Sequence, residues 1–154
     1  MKNDSSSSEV NPFPYIAEAL FGIMYDLDLR TGKVRRTYGI KRILGPDADI
    51  ATDSPSWWNS RIHPEDIEKV QRAFFEAKGD NCDVEYRIRH TDGHYVYIWD
   101  QAVIIRDQDG TPIRIVGHNI DISRHKDTEN RLRDAWYQEQ QMRLELEHRT
   151  AQVK

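Results

Sequence analysis

The residues able to do chemistry in this chain are few and scattered. A single Cys82 excludes an internal disulfide and any Cys-x-x-Cys zinc site. Six histidines are dispersed: His63 precedes Pro64, His90 and His94 flank a turn, and none has the spacing of a metal-ligand pair, so no metal site is expected. Asp107–Gly110 is too short for a calcium loop. There is no nucleophile beside a base and no phosphate-cradling loop, so no catalytic residue is expected within the chain. Two polar side chains stand out because they fall in phase with apolar ones. Asp100 shares strand phase with Ile98 and Ala102, and a carboxylate facing the interior would have a raised pKa unless paired. Asn119 shares a face with Ile113, Ile115 and Gly117. Its amide can donate and accept hydrogen bonds towards a ligand, or be a buried amide satisfied by backbone.

The elements that must position these residues follow from hydropathy period. Ile23–Leu29 alternates apolar with polar, Arg30–Lys33 makes a Gly-bearing turn, and Val34–Tyr38 returns, which predicts a hairpin. Ile40–Leu44 can make one helical turn, and Ser56–Ile62 another, opened by a Ser56 cap. Beyond Pro64, Ile67, Val70, Phe74 and Ala77 recur at helical spacing, with Glu65 and Asp66 in the first turn and Gly79 at the end. The period then changes to two. Cys82–Arg89 puts Val84, Tyr86 and Ile88 on one face and Glu85, Arg87 and Arg89 on the other. Tyr95–Arg106 and Pro112–Ile122 complete a meander through turns at Asp92-Gly93 and Asp109-Gly110. The fold class is therefore α+β: a five-stranded antiparallel sheet with small helices on one face.

Residues 123–154 contain neither Pro nor Gly. Leu132, Ala135, Met142, Leu146 and Val153 fall on a heptad seam that also holds His125, Thr128, Glu139 and Arg149. So thin an apolar stripe cannot bury itself, and a weak two-stranded coiled coil is expected. The helical pattern reaches the last residue without a stop signal, as it would if it led into an effector domain. With 31% charged residues and a net charge of −4, there is no electrostatic case for nucleic acid. No apolar run approaches a membrane span or a signal peptide, so a cytoplasmic protein is expected.

Four segments resemble one known family, in the right order and spacing. Trp57-Trp58 with Ile62-His63-Pro64-Glu65-Asp66 is similar to the entry of the long helix of PAS domains. Glu85-Tyr86-Arg87-Ile88-Arg89 through Asp92-Gly93 resembles a PAS strand and its turn. Tyr97-Ile98-Trp99-Asp100 with Arg106–Gly110, and Gly117–Ser123, continue the PAC pattern, with Ser123 where the family usually has Thr. The polar, serine-rich lead-in over 1–12 is read as disordered from its composition, and the resemblance implies a PAS sensor domain over 13–122 and a signalling helix over 123–154.

It further implies a cupped pocket. Trp57, Phe74, Tyr86, Ile88, Ile98, Asp100, Ala102 and Asn119 are its candidate lining. Asn119 matches the position whose amide reads the ligand in flavin-binding relatives. The cofactor is left unknown: Cys82 lies on the strand after the long helix and not where the photoreactive cysteine belongs, which weighs against flavin photochemistry. No His lies between Pro64 and Gly79, which weighs against haem and leaves His63 as the residue through which it could be held. Asp121, Ile122 and Ser123 form the implied relay joint; Asp121 and Ser123 can equally act only as helix caps. Glu145-Leu146-Glu147-His148-Arg149 faintly resembles a histidine-kinase phosphoacceptor box but lacks its continuation, so His148 is read as an exposed helix residue. The expected partners are a second copy, met through the helix and the sheet face, a downstream output domain, most often a histidine kinase, and a small-molecule ligand. The alternatives are a ligand-free dimerisation module, or a regulator of a cyclic-dinucleotide or other output domain.

Overall fold

In the computed structural model the described residues are Pro12, Tyr15, Ile16, 19–37, 39–48, 54–76 and 79–152. The lead-in before Pro12, Ala77 and Val153 lie outside them. The chain divides after Asp121 into two units.

The first unit is a five-stranded antiparallel sheet in the order β2-β1-β5-β4-β3. Its strands are β1 (Gly22–Asp28), β2 (Lys33–Arg36), β3 (Asn81–Arg89), β4 (Tyr95–Arg106) and β5 (Pro112–Asp121). Among the described residues, three short helices sit between β2 and β3: α1 (Gly39–Leu44), α2 (Ser56–Asn59) and α3 (Ile67–Phe75), the last entered through a 3-10 turn at Pro64–Asp66. The predicted α+β class and meander are found, and β4 has its predicted bounds.

Alternation along β3 and β4 sends Cys82, Val84, Tyr86 and Ile88, and Val96, Ile98, Asp100, Ala102 and Ile104, to one buried face. Ile40, Ile43 and Leu44 of α1 and Trp58 of α2 join that core, with Val70 and Phe74 of α3 packed against it. Gly93 and Gly110 take φ of 102° and 81°, as the Asp-Gly turns between these strands require.

Two local expectations differ from the structure. Ser56 does not cap α2: Pro55 stands at its N-cap, and the Ser54 hydroxyl accepts from the Ser56 amide at 3.2 Å. The helix also stops at Asn59 instead of running to Ile62, because Ile62 is drawn into an isolated bridge with Ile88. Arg89 N–H donates to the Arg61 carbonyl and His63 N–H to that of Arg87, so this segment covers the outer edge of β3.

The same corner holds an ion pair whose carboxylate is buried. His63 Nδ1 accepts from the Glu65 amide and Pro64 occupies the first turn, which turns Asp66 inwards. Asp66 accepts from Arg87 at the backbone N (2.8 Å), Nε (2.9 Å) and Nη2 (2.9 Å). Those bonds outweigh the cost of burial and hold the Asp66 carboxyl at about 2.

The second unit is one helix, α4 (Ser123–Gln152). Its seam positions Leu132, Ala135, Met142 and Leu146 are all exposed, as are Trp136 and Tyr137, whose rings meet edge to face at 5.2 Å. Ion pairs Lys126–Glu129 and Arg143–Glu147 run along its surface.

Candidate functional site: a tyrosine-bound carboxylate in an apolar cavity

Inside the first unit the sheet and small helices enclose a cavity of about 330 Å³. That is within the range of small-molecule sites. Its wall is mostly apolar: Leu27, Val34, Trp58, Ile62, Val70, Phe74 and Ile115 all line it. The exposed residues Gly32, Asn59 and Phe75 line it too, so it reaches the surface.

The polar end is built on facing strands. Asp100 of β4 and Asn119 of β5 are register partners, and both are buried. Tyr86, one strand over, donates its hydroxyl to Asp100 Oδ2 at 2.9 Å and accepts from Trp58 Nε1 at 2.9 Å. Tyr25 of β1 donates to Asp100 Oδ1, also at 2.9 Å. To reach β4 from β1, the Tyr25 ring must cross β5, and it does so over Gly117, its register partner. A Cβ at position 117 would lie 2.7 Å from the Tyr25 hydroxyl and 2.7 Å from the Gln101 carbonyl.

The electrostatics follow from burial. Desolvation pushes the Asp100 carboxyl up to about 6, against the two tyrosine hydrogen bonds that favour its anion. The Asn119 amide favours the anion as well from the facing position, but without completing a hydrogen bond: its Nδ2 has no partner. Burial first, and then Asp100, drive both phenols far above their ordinary range, so Tyr25 and Tyr86 remain protonated donors. The Cys82 thiol is raised by burial to about 12, with Asp100 adding to the shift, and is therefore unreactive.

Of the positions singled out from sequence, Phe74, Tyr86, Asp100 and Asn119 line the cavity. Ile88, Ile98 and Ala102 lie in the packed core. Trp58, and not Trp57, forms the wall; Trp57 packs at the core edge with the Arg61 guanidinium 4.2 Å from its ring. Tyr25 and Arg36 are added by the structure. Tyr25 gave a signal only as an apolar-phase residue of β1, whereas Arg36 gave none. Asp121 ends β5 opposite Ile98, and Ile122 and Ser123 open the second unit. The turn between β3 and β4 also gathers His90, Asp92 and His94, whose ligand atoms lie within 4.8 Å of one another. Asp92 accepts from the His94 amide there, which tightens the turn.

Gly117→Ala is expected to cost about 1–3 kcal/mol by overpacking. By pushing Tyr25 off Asp100 it also raises the Asp100 pKa, which a carbonyl-carbon NMR titration reads directly. An unchanged titration would show that Tyr25 does not depend on the gap above Gly117.

A family model described as the PAS fold matches residues 33–119, more than half of the chain, and the chain belongs to that family. Sensor protein FixL of Bradyrhizobium diazoefficiens is 32% identical over an alignment of 119 residues that covers 73% of this chain but only 23% of that protein. Among solved structures, a sensory box histidine kinase/response regulator from Burkholderia thailandensis is similar with a TM-score of 0.68 at 24% identity, over 85% of this chain and 99% of that one. The N-terminal domain of a diguanylate cyclase with PAS/PAC sensor from Marinobacter aquaeolei has a TM-score of 0.57 at 28% identity, over 68% of this chain and 98% of that one. The chain is thus a PAS sensory domain whose relatives include kinase and cyclase sensors. Among the described residues, no helix is long and apolar enough to cross a membrane.

Proposed function

We propose that this chain is the ligand-sensing module of a cytoplasmic signalling protein and passes its state through α4 to an output domain. The observation that carries this is Asn119 Nδ2, a buried donor without a partner at the end of an apolar cavity. A buried amide left unpaired costs free energy that an acceptor on a ligand recovers. Asn119 also lies on the strand that ends at Asp121, two residues before α4 begins. A ligand acts only through a difference in affinity between two states, and strain at Asn119 has a short covalent route to the helix. A histidine kinase is the output favoured by the relatives, with a diguanylate cyclase as the second. The lone buried Cys82 thiol suits a reducing compartment. Native mass spectrometry of protein purified from its own host tests the reading. A retained small molecule lost in Asn119→Leu supports it, and an empty protein with a water-filled cavity sinks it.

The rival is constitutive dimerisation, favoured by the outer sheet face. Val103 pairs with Val116 and Trp99 with Ile120 there, and Val103 and Ile105 are 49% and 41% exposed. We place a homodimer in both readings, formed through this face and the α4 seam. Leu132→Glu with Leu146→Glu is expected to lower self-association at least tenfold in sedimentation equilibrium, because each charge would have to be buried in the seam. Unchanged association would remove the seam from the interface.

A further inference from the structure

Arg36 has no role in the site as described so far. It is the register partner of Tyr25, so its side chain leaves β2 on the inner face, and it lines the cavity. The residue is half-buried, and its guanidinium lies 5.5 Å from the centroid of the Trp58 ring. Stacking on an indole face stabilises a cation but leaves its N–H groups without acceptors. Asp100 is the one carboxylate on the cavity wall among the described residues, and both of its oxygens are taken by tyrosine hydroxyls. Burial lowers the Arg36 pKa, as expected for a guanidinium short of a counter-charge. The cavity therefore presents two groups that only donate or lack an acceptor, Arg36 and Asn119 Nδ2, on otherwise apolar walls.

We propose that the cavity selects an apolar carboxylate, its acid paired with Arg36 and a carbonyl-type acceptor on its body meeting Asn119. This rests on the ligand-binding reading and gives it a chemical class. A guanidinium holds a carboxylate through a two-pronged, charge-assisted fork, which a neutral amide cannot reproduce. The aromatic and aliphatic wall takes the body of the same molecule. A cationic ligand would meet the Arg36 charge, and a purely apolar one would leave both donors unpaired.

The test uses three probes on the 154-residue chain: benzoylpropionate, its neutral amide, and phenylbutyrate, which keeps the acid but lacks the ketone. Isothermal titration should give benzoylpropionate about 10- to 100-fold tighter binding than its amide, the ratio worth one charge-assisted contact. Phenylbutyrate should fall between them. Arg36→Gln should abolish the preference for acid over amide, Arg36→Lys should keep part of it, and Asn119→Leu should erase the preference for the ketone. Equal binding of acid and amide, or an Arg36→Gln variant that retains the acid preference, overturns the carboxylate assignment and leaves a ligand-binding cavity. No binding of any probe up to millimolar concentration overturns the assignment and counts against the ligand-binding reading too.

Discussion

Asp66→Ala will lower the unfolding free energy by about 1–3 kcal/mol, the cost of leaving the donors that the buried Asp66 carboxylate satisfies without an acceptor. The substitution removes the acceptor of the Arg87 backbone N–H on β3 and of Arg87 Nε, whereas Nη2 keeps Glu65 as a second acceptor at 3.0 Å. Domains have only about 5–15 kcal/mol in total, so the loss is a sizeable fraction of the stability. Exposed pairs offer the contrast: Arg72–Glu68 on α3 is solvent-exposed on both sides, and its loss should cost less than about 1 kcal/mol. Urea unfolding of both variants decides the matter. Equal small losses would mean that the Asp66 corner is open to water. The Asp66 contribution should also vanish on acidification. Its folded pKa, about 2, lies below the ordinary carboxylate value of 3.8, so the stabilisation is complete above about pH 4 and is lost as pH falls towards 2.

The second large effect has the opposite sign. Asp100 has its folded pKa raised from 3.8 to about 6, so the folded state holds the proton more tightly than the unfolded chain. Its contribution is complete below about pH 4 and is lost as pH rises through 6, an expected fall on the order of 3 kcal/mol by pH 7. The summed contribution of these two carboxylates is greatest at about pH 4. Asp26, whose carboxyl is also held low by Arg114 and Arg35, adds to the acid limb with Asp66, and Asp100 supplies the neutral one. Asp100→Asn should flatten the limb between about pH 4 and 7 and leave the acid limb intact. If the difference between wild type and variant is independent of pH, the carboxylate is not buried in the way its tyrosine partners indicate.

Much of the architecture was legible because it depends on local alternation. Tyr95–Arg106 reads as a strand since every second residue from Val96 to Ile104 is buried, and Asp-Gly turns bracket it. The cavity was legible in outline, because Asp100 and Asn119 break the apolar phase where they occur. What could not be read depends on residues distant in sequence. Whether Trp57 or Trp58 faces inwards is set by a four-residue helix, too short to show a phase. Tyr25 reaches Asp100 only because Gly117 leaves room, and no pattern within β1 reports the size of a residue in β5. Asp66 and Arg87 each belonged to a motif that marked the family, yet nothing in either motif says that the two meet. The Ser56 cap failed for a different reason: a neighbouring serine, Ser54, supplied the oxygen instead.

The order β2-β1-β5-β4-β3 has a consequence for how the chain acquires its structure. The strand made last sits between the first hairpin and the rest, so Gly22 waits for Ile120 and Asp26 for Arg114. Such distant pairings slow folding, since a long loop must close before any contact rewards it. During synthesis the first hairpin therefore emerges with only the short helix α1 to pack against and no strand to pair with the free edge of β1. The sheet closes only once β5 has cleared the ribosome, with the start of α4 close behind. Commitment to the native sheet and the appearance of the outgoing helix thus become nearly simultaneous events in the life of each molecule.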